Sequence, residues 1–285
     1  MAKRILIVGS GDVGGHLACD LAADGHKVWG LRRSNKPVGD GVTTISADVA
    51  DPETLMDLPG ELDYLVYAVA SPDFSEEGYQ QFYVQGLKNI LAVLKAGGNK
   101  VKHVFFVSSS SVYHHHDGSV VDENTPCEPT SFAGKKMLEA EQVLLSGPFP
   151  GTAVRFSGIY GPGRIRLITQ AKRGGHCDPE PPVWTNRIHR DDCVAVLKFL
   201  IEKDMGGTAL EKIYLASDPN PTPLFDVLEW MKDRIGDVED DTDLPEATRR
   251  GSKKCSCQRL LDLGYQFIYP DYQSGYDGIL QDMGY

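Results

Sequence analysis

Residues 4–14 read RILIVGSGDVG: a short apolar run, glycines at 9, 11 and 14 in the spacing GxGxxG, and the opening of an amphipathic stretch. This order constrains the fold more than any other part of the chain. A glycine that ends a buried strand permits a turn too tight for a side chain, and the third glycine lets a helix lie directly on the strand. The second glycine lets a pyrophosphate approach the main chain, where a helix N-terminus offers amide donors and partial positive charge. Gly9, Gly11 and Gly14, with Asp12 and Val13 between them, are the expected dinucleotide turn.

The rest of the first half repeats the alternation that this turn begins. Apolar runs at 4–8, 27–31, 42–47, 64–69, 102–108 and 152–156 read as strands covered on both faces. Helical patterns at 12–24, 75–97 and 131–146 lie between them. Parallel neighbours need crossover helices, so the fold class is α/β: a Rossmann-type, doubly wound parallel sheet. After Phe156 the regularity breaks into glycine- and proline-rich loops, followed by a helix at 190–203, a strand at 212–217 and helical patterns near 223–235, 256–263 and 272–282. The expected division is a Rossmann domain over 1–156, completed by 186–217, and a small C-terminal α/β substrate lobe from 157–185 and 218–285.

Charge narrows the partners. The formal net charge is −11, with a pI near 5.2, and nucleic acid or an anionic membrane surface would demand a basic face. No apolar run has the length of a membrane span. The six cysteines have no framework spacing, and the CxC at Cys255 and Cys257 lacks a second ligand pair. They read as reduced thiols of a cytoplasmic protein without a metal.

The second strand ends in WGLRRS. An acidic residue there would hold the adenosine ribose of NAD; Arg32 and Arg33 stand there instead, and a guanidinium forks onto a phosphate. The expectation is NADP(H), with NAD as the other cofactor. Asp48, after the third strand, is the candidate to meet the adenine.

The motifs together resemble the extended short-chain dehydrogenase/reductase superfamily of nucleotide-sugar epimerases and dehydratases. They are GSGDVGG (9–15), SADVAD (46–51), YAVAS (67–71), FVSSSSVY (106–113), RFSGIYGPGR (155–164) and NRIHRDD (186–192). The resemblance implies that Ala68 and Ala70 border the cofactor and that Ser109, with Ser111 next, orients the substrate oxygen. In that family a tyrosine passes the proton and a lysine four residues later grips the nicotinamide ribose. Anchoring on GKKMLEAE puts Ala133 at the tyrosine and Met137 at the lysine; sliding by one residue gives Phe132 and Lys136. Neither register supplies a phenol. This departure is similar to the atypical branch of the superfamily, which implies the cofactor more firmly than the reaction.

The expected activity is therefore an oxidoreductase or epimerase/dehydratase acting on a small carbonyl or hydroxyl compound, nucleotide-sugar-like in the family's manner. The competing class is a non-catalytic NADP(H)-binding redox sensor. Tyr113, Tyr160 and Tyr83 are the substitute proton carriers, each with a packing role as the alternative. Tyr160, Arg187 and His189 are expected substrate contacts, with anchoring of the lobe as the other reading; Arg155 is expected to anchor likewise. Asp191 and Asp192 are expected to cap the helix at 190. Three successive histidines, His114 to His116, cannot all face one ion. EDDTDLPE (239–246) reads as a solvated acidic loop, and RRGSKKC (249–255) as a surface charge run or a grip on a phosphate-bearing substrate. Relatives often pair through two helices beside the fourth strand, so the resemblance admits a homodimer; the sequence itself is silent on the oligomeric state.

Overall fold

A computed structural model describes residues 1–239 and 251–285. The acidic stretch from 240 to 246, Arg249 and Arg250 lie outside the described residues. The chain divides into two compact units, one of residues 1–112, 127–155 and 194–214, the other of residues 113–126, 156–193 and 215–285.

Seven strands form the sheet of the first unit: β1 (Arg4–Val8), β2 (Lys27–Arg32), β3 (Val42–Ser46), β4 (Tyr64–Tyr67), β5 (His103–Ser109), β6 (Gly151–Phe156) and β7 (Ile213–Ala216). The last residues of β6 and β7 are counted in the second unit. The order is β7-β6-β5-β4-β1-β2-β3. The chain winds outward from β1 through β2 and β3, then crosses over to start again at β4. β1 pairs in parallel with both β2 and β4, with Ile5 opposite Val28 on one side and Tyr64 on the other. This is a Rossmann-like sheet, and its topological switch point lies between β1 and β4. Every side chain of Ile5–Val8 and Leu65–Tyr67 is fully buried, which is why these runs carry no polar alternation.

Helices α1 (Asp12–Ala23), α2 (Glu76–Tyr79), α3 (Gly86–Ala96) and α4 (Phe132–Leu145) belong to this unit. The single helix expected over 75–97 is α2 and α3 joined by a π-helical turn at Gln80–Gln85. The Tyr67 hydroxyl, at the end of β4, donates to the Phe82 carbonyl inside that turn at 2.5 Å. A π-turn persists where an outside group satisfies the displaced backbone, and only tertiary structure supplies one here.

Arg155 also differs from its expected role. Its partner is Glu141 of α4, in the same unit: Nη2 lies 2.6 Å from Oε2 and Nε 2.9 Å from Oε1, with the Ser108 hydroxyl donating to Oε1 at 2.5 Å. Arg155 and Glu141 are almost fully buried, so each charge depends on the other.

The second unit contains α5 (Arg166–Lys172), the start of α6 (Arg190–Met205), α7 (Leu224–Ile235), α8 (Gln258–Asp262) and α9 (Tyr272–Asp282). Ile168, Val227, Met231, Tyr276 and Leu280 bring α5, α7 and α9 into one core. Two- and three-residue strands pair 158–160 with 187–189, 184–185 with 222–223, and 120–121 with 254–255. None is long enough to show a period in the sequence. Asp192 does not cap α6. It is wholly buried and accepts bonds from the Tyr265 hydroxyl (2.7 Å) and from the amides of Ile268 (2.8 Å) and Tyr269 (3.0 Å), fixing the segment that leads to α9. At the head of the helix the Asp191 amide donates to Nδ1 of His189 at 3.1 Å. Among the described residues no helix is long and apolar enough to cross a membrane.

Glu141→Ala leaves the Arg155 guanidinium buried without its carboxylate. Urea denaturation should show a loss of about 3–5 kcal/mol, against about 1 kcal/mol or less for Glu139→Ala on the solvent side of the same helix.

Candidate dinucleotide site

The turn after β1 is held by backbone bonds and by the Ser10 hydroxyl, which donates to the Ile7 carbonyl at 3.1 Å. The amides of Gly9 and Ser10 both donate to the Leu31 carbonyl at 3.0 Å, and Ala68 donates to the Val8 carbonyl at 2.7 Å. Gly9 has φ +91°, and a Cβ there would lie 2.5 Å from the Val69 amide nitrogen. A Cβ on Gly14 would lie 2.3 Å from the Gly9 carbonyl oxygen, closer than any real contact. Gly11 differs. Its φ is −88° and its ψ −138°, and a Cβ built on it meets nothing within 4 Å. The protein's own packing requires the outer two glycines and not the middle one. Open space over Gly11, at the first turn of α1, is what a ligand phosphate on this turn needs. Asp12 and Val13 open the helix, Val13 buried and Asp12 half-buried.

Arg32, at the end of β2, is half-buried and makes no side-chain hydrogen bond or ion pair among the described residues. Arg33 is exposed, with its guanidinium 5.4 Å from the centre of the Phe82 ring. Asp48 spends one carboxylate oxygen on the amide of Ala50 at 3.0 Å, closing a local turn. Ala68 and Ala70 follow β4, Ala70 exposed and Ala68 half-buried.

At the end of β5 the Ser109 hydroxyl accepts the Ser111 amide at 3.1 Å, so its own proton remains available to donate. The head of α4 packs on this turn: a Cβ on Gly134 would lie 2.5 Å from the Ser111 carbonyl oxygen. Ala133 and Met137 are both buried along one stripe of α4. Phe132 lies to the side, 4.9 Å from the Phe74 ring and 5.5 Å from Tyr79, and Lys136 reaches Glu139 at 3.3 Å and Glu76 at 3.9 Å. The π-turn places Tyr83 so that its hydroxyl accepts the Ser71 amide at 3.3 Å, just beyond Ala70.

Tyr160, Arg187 and His189 come together in the second unit, each at 3% exposure or less. The Tyr160 ring stacks on Tyr276 at 4.1 Å and stands edge-on to His189 at 5.2 Å. Burial lowers the proton affinity of His189, and Asp191 opposes that shift. Arg187 donates to the Thr185 hydroxyl through Nη2 and lies over the Tyr272 ring at 5.3 Å. Its Nε and Nη1 are buried without partners, as are the Tyr160 hydroxyl and Oδ2 of Asp218. Burial pushes the Asp218 carboxyl up to about 7, with Arg187 pulling it back down. Tyr113 is buried; His114 and His116 are exposed, their rings 4.3 Å apart. Among the described residues no three histidine, cysteine or acidic side chains are grouped to hold a metal.

The sequence pattern of the NAD dependent epimerase/dehydratase family matches residues 5–213. A protein of Methylobacillus flagellatus, provisionally described as an NAD-dependent epimerase/dehydratase, is 43% identical over the full length of both chains, with a TM-score of 0.84. The chain belongs to the NAD dependent epimerase/dehydratase family. The same fold recurs in more distant structures. UDP-glucose 4-epimerase of Thermotoga maritima, solved with UDP-glucose, is 16% identical over 99% of this chain and 98% of its own, with a TM-score of 0.81. MoeE5, solved with UDP-glucuronic acid and NAD, is 20% identical over 99% of this chain and 100% of its own, with a TM-score of 0.77. No curated protein matches the chain.

For an epimerase/dehydratase family member, the absence of a phenol on the buried stripe of α4 is the main departure. Asp218 was missed in the sequence because nothing around SDPNP distinguishes it from a loop acid; only burial beside Arg187 does. Its proton affinity gives a test. The unfolded carboxyl titrates near 4, so between about pH 4 and pH 7 the folded chain keeps a proton that the unfolded chain has lost. That stabilisation is complete below the unfolded value and is lost as pH rises through about 7. The wild type should therefore lose about 3 kcal/mol more stability than Asp218→Asn between pH 5 and pH 8, since about two pH units of that range lie below the folded value at about 1.4 kcal/mol per unit. Denaturant titrations of both proteins across that range check it.

Proposed function

We propose that the first unit binds NADP(H) across the β1–β4 crevice and uses it for hydride transfer with a small carbonyl or hydroxyl compound, as a reductase or an epimerase/dehydratase. Gly11 carries the reading: it is a glycine that the protein's own packing does not require, at the place where the pyrophosphate would cross the turn. The NAD in MoeE5 supports a nicotinamide dinucleotide in this fold. When bound, the cofactor supplies or accepts the hydride.

The chain's own residues do the rest. Amides at the head of α1 receive the pyrophosphate, and Ala68 and Ala70 border the nicotinamide half. Arg32, free of polar partners among the described residues, receives the 2′-phosphate, with Arg33 beside it; Asp48 keeps one oxygen for the adenosine. Ser109, held through its lone pair by the Ser111 amide, donates its proton to the substrate oxygen. Within the second unit, Tyr160, Arg187 and His189 are the candidate substrate contacts. UDP-glucose in the T. maritima enzyme supports a nucleotide-sugar-like class. Six free cysteines, four of them buried, suit the reducing cytoplasm.

Neither Ala133 with Met137 nor Phe132 with Lys136 supplies a phenol, which favours a second reading: a sensor that binds NADP(H) without turnover. Cofactor that binds but is never consumed across a panel of aldehydes, ketones and UDP-sugars would establish it.

Fluorescence titration with NADPH and NADH tests the cofactor. A charge-assisted bond to the 2′-phosphate is worth about 1.5–3 kcal/mol, so Arg32→Ala should weaken NADPH binding about tenfold or more and leave NADH within about twofold. Equal losses would remove Arg32 from the phosphate.

A further inference from the structure

Lys253 is a side chain of the second unit that the dinucleotide reading does not use. The main chain around it is pinned on both sides. The Ser252 amide donates to the His115 carbonyl (3.0 Å), Lys254 to Ser119 (2.9 Å) and Ser256 to Val121 (2.9 Å). From the other side Nδ2 of Asn186 donates to the Lys253 carbonyl at 2.8 Å, and its Oδ1 accepts the Cys255 amide at 2.7 Å. Side chains in an extended segment alternate in direction. Ser252 and Lys254 both meet Trp184, the first through its hydroxyl and the second with its ammonium 3.9 Å from the ring centre. Lys253 takes the other direction, and its Nζ has one polar contact, the Tyr113 carbonyl oxygen at 3.5 Å.

Other lysines of the chain have carboxylates. Lys102 meets Asp63 at 2.7 Å, Lys198 meets Asp24 at 2.6 Å and Lys232 meets Glu229 at 2.8 Å. Among the described residues, Lys253 has none within 4 Å. An ammonium there would present three donors to one distant acceptor; a neutral amine loses less and keeps a free lone pair. Burial accordingly lowers its proton affinity below the ordinary lysine range, with only Cys255 opposing. The neighbourhood is poorly made for an anion, because the amides of residues 252, 254, 255 and 256 are already committed to carbonyl oxygens.

We propose that Lys253 is a carbonyl-capturing site of the second unit, whose ε-amine takes an aldehyde or ketone reversibly as an imine. The lone pair of Nζ adds to the carbonyl carbon and forms the C–N bond, while the π pair moves to oxygen and takes up a proton. The amine then gives up its protons as the oxygen leaves as water, and the carbon–nitrogen double bond closes. Amine and carbonyl become imine and water, with no change of oxidation state. The partly exposed side chain admits a small substrate, and the clamped segment keeps the amine from swinging to solvent.

Reductive trapping tests this on the full-length protein without dinucleotide, so the result stands apart from the cofactor reading. The protein is treated with glycolaldehyde and cyanoborohydride at neutral pH, and the sites are ranked by peptide mass spectrometry over time. Lys253 should be modified about tenfold faster than exposed Lys27 and Lys95, as for other desolvated, carboxylate-free lysines. Inorganic phosphate should not change its rate, and Lys253→Arg should remove the fast site. The proposal is overturned if Lys253 reacts no faster than Lys27 and Lys95. It is also overturned if phosphate protects it saturably, which would make the position a charge site. Should Lys253→Arg not fold, the ranking within the wild type decides alone.

Discussion

Two backbones approach here more closely than any side chain allows, and the rest of the architecture follows from that contact. Gly9 sits against the Ala68–Val69 peptide and Gly14 against the Gly9 carbonyl, so β1, β4 and α1 meet through hydrogen atoms. The approach fixes the end of β1 at the point where the sheet reverses its winding. It also aims the first turn of α1 over the open space at Gly11. A side chain at Gly9 would part the two central strands and one at Gly14 would lift α1 off β1; one at Gly11 would meet no atom of the protein.

The two units treat buried charge differently. In the first, Glu141 is matched by Arg155 and Ser108, and Tyr64 donates to Asp204 at 2.8 Å. These groups rigidify the sheet and its helices. In the second, among the described residues, Arg187, Asp218 and Tyr160 keep unpaired buried atoms, and Lys253 has no carboxylate within 4 Å. Polar groups left unmatched cost stability, and folded chains keep them chiefly where chemistry or recognition needs them.

The seven sheet strands and the glycine turn were legible because each rests on a local signal, a continuous apolar run or a fixed glycine spacing. The π-turn was not, since it depends on a hydroxyl from β4 meeting a carbonyl fifteen positions away. Arg155 could be seen as a buried anchor, but its partner on α4 could not. Asp192 sat where a helix cap is expected and instead fastens the Tyr265–Tyr269 segment, a tertiary role without a sequence mark. Lys253 was hidden inside a basic run, where pattern alone cannot separate it from Lys254, which lies over the Trp184 ring. Among Ala133, Met137, Phe132 and Lys136, the sequence left two registers open. The structure puts Ala133 and Met137 on the buried stripe and turns Lys136 toward Glu139 and Glu76.

The central claim is that Gly11 is kept for a ligand and not for the fold. Gly11→Ala measures this directly, with thermal unfolding and NADPH titration performed on the same preparation. A Cβ at Gly11 meets nothing in the protein, so the variant should stay folded, losing about 1 kcal/mol for alanine at a helix N-cap, while NADPH affinity falls about tenfold or more. Unchanged affinity in a folded protein would contradict the account, because the dinucleotide would then not cross this turn.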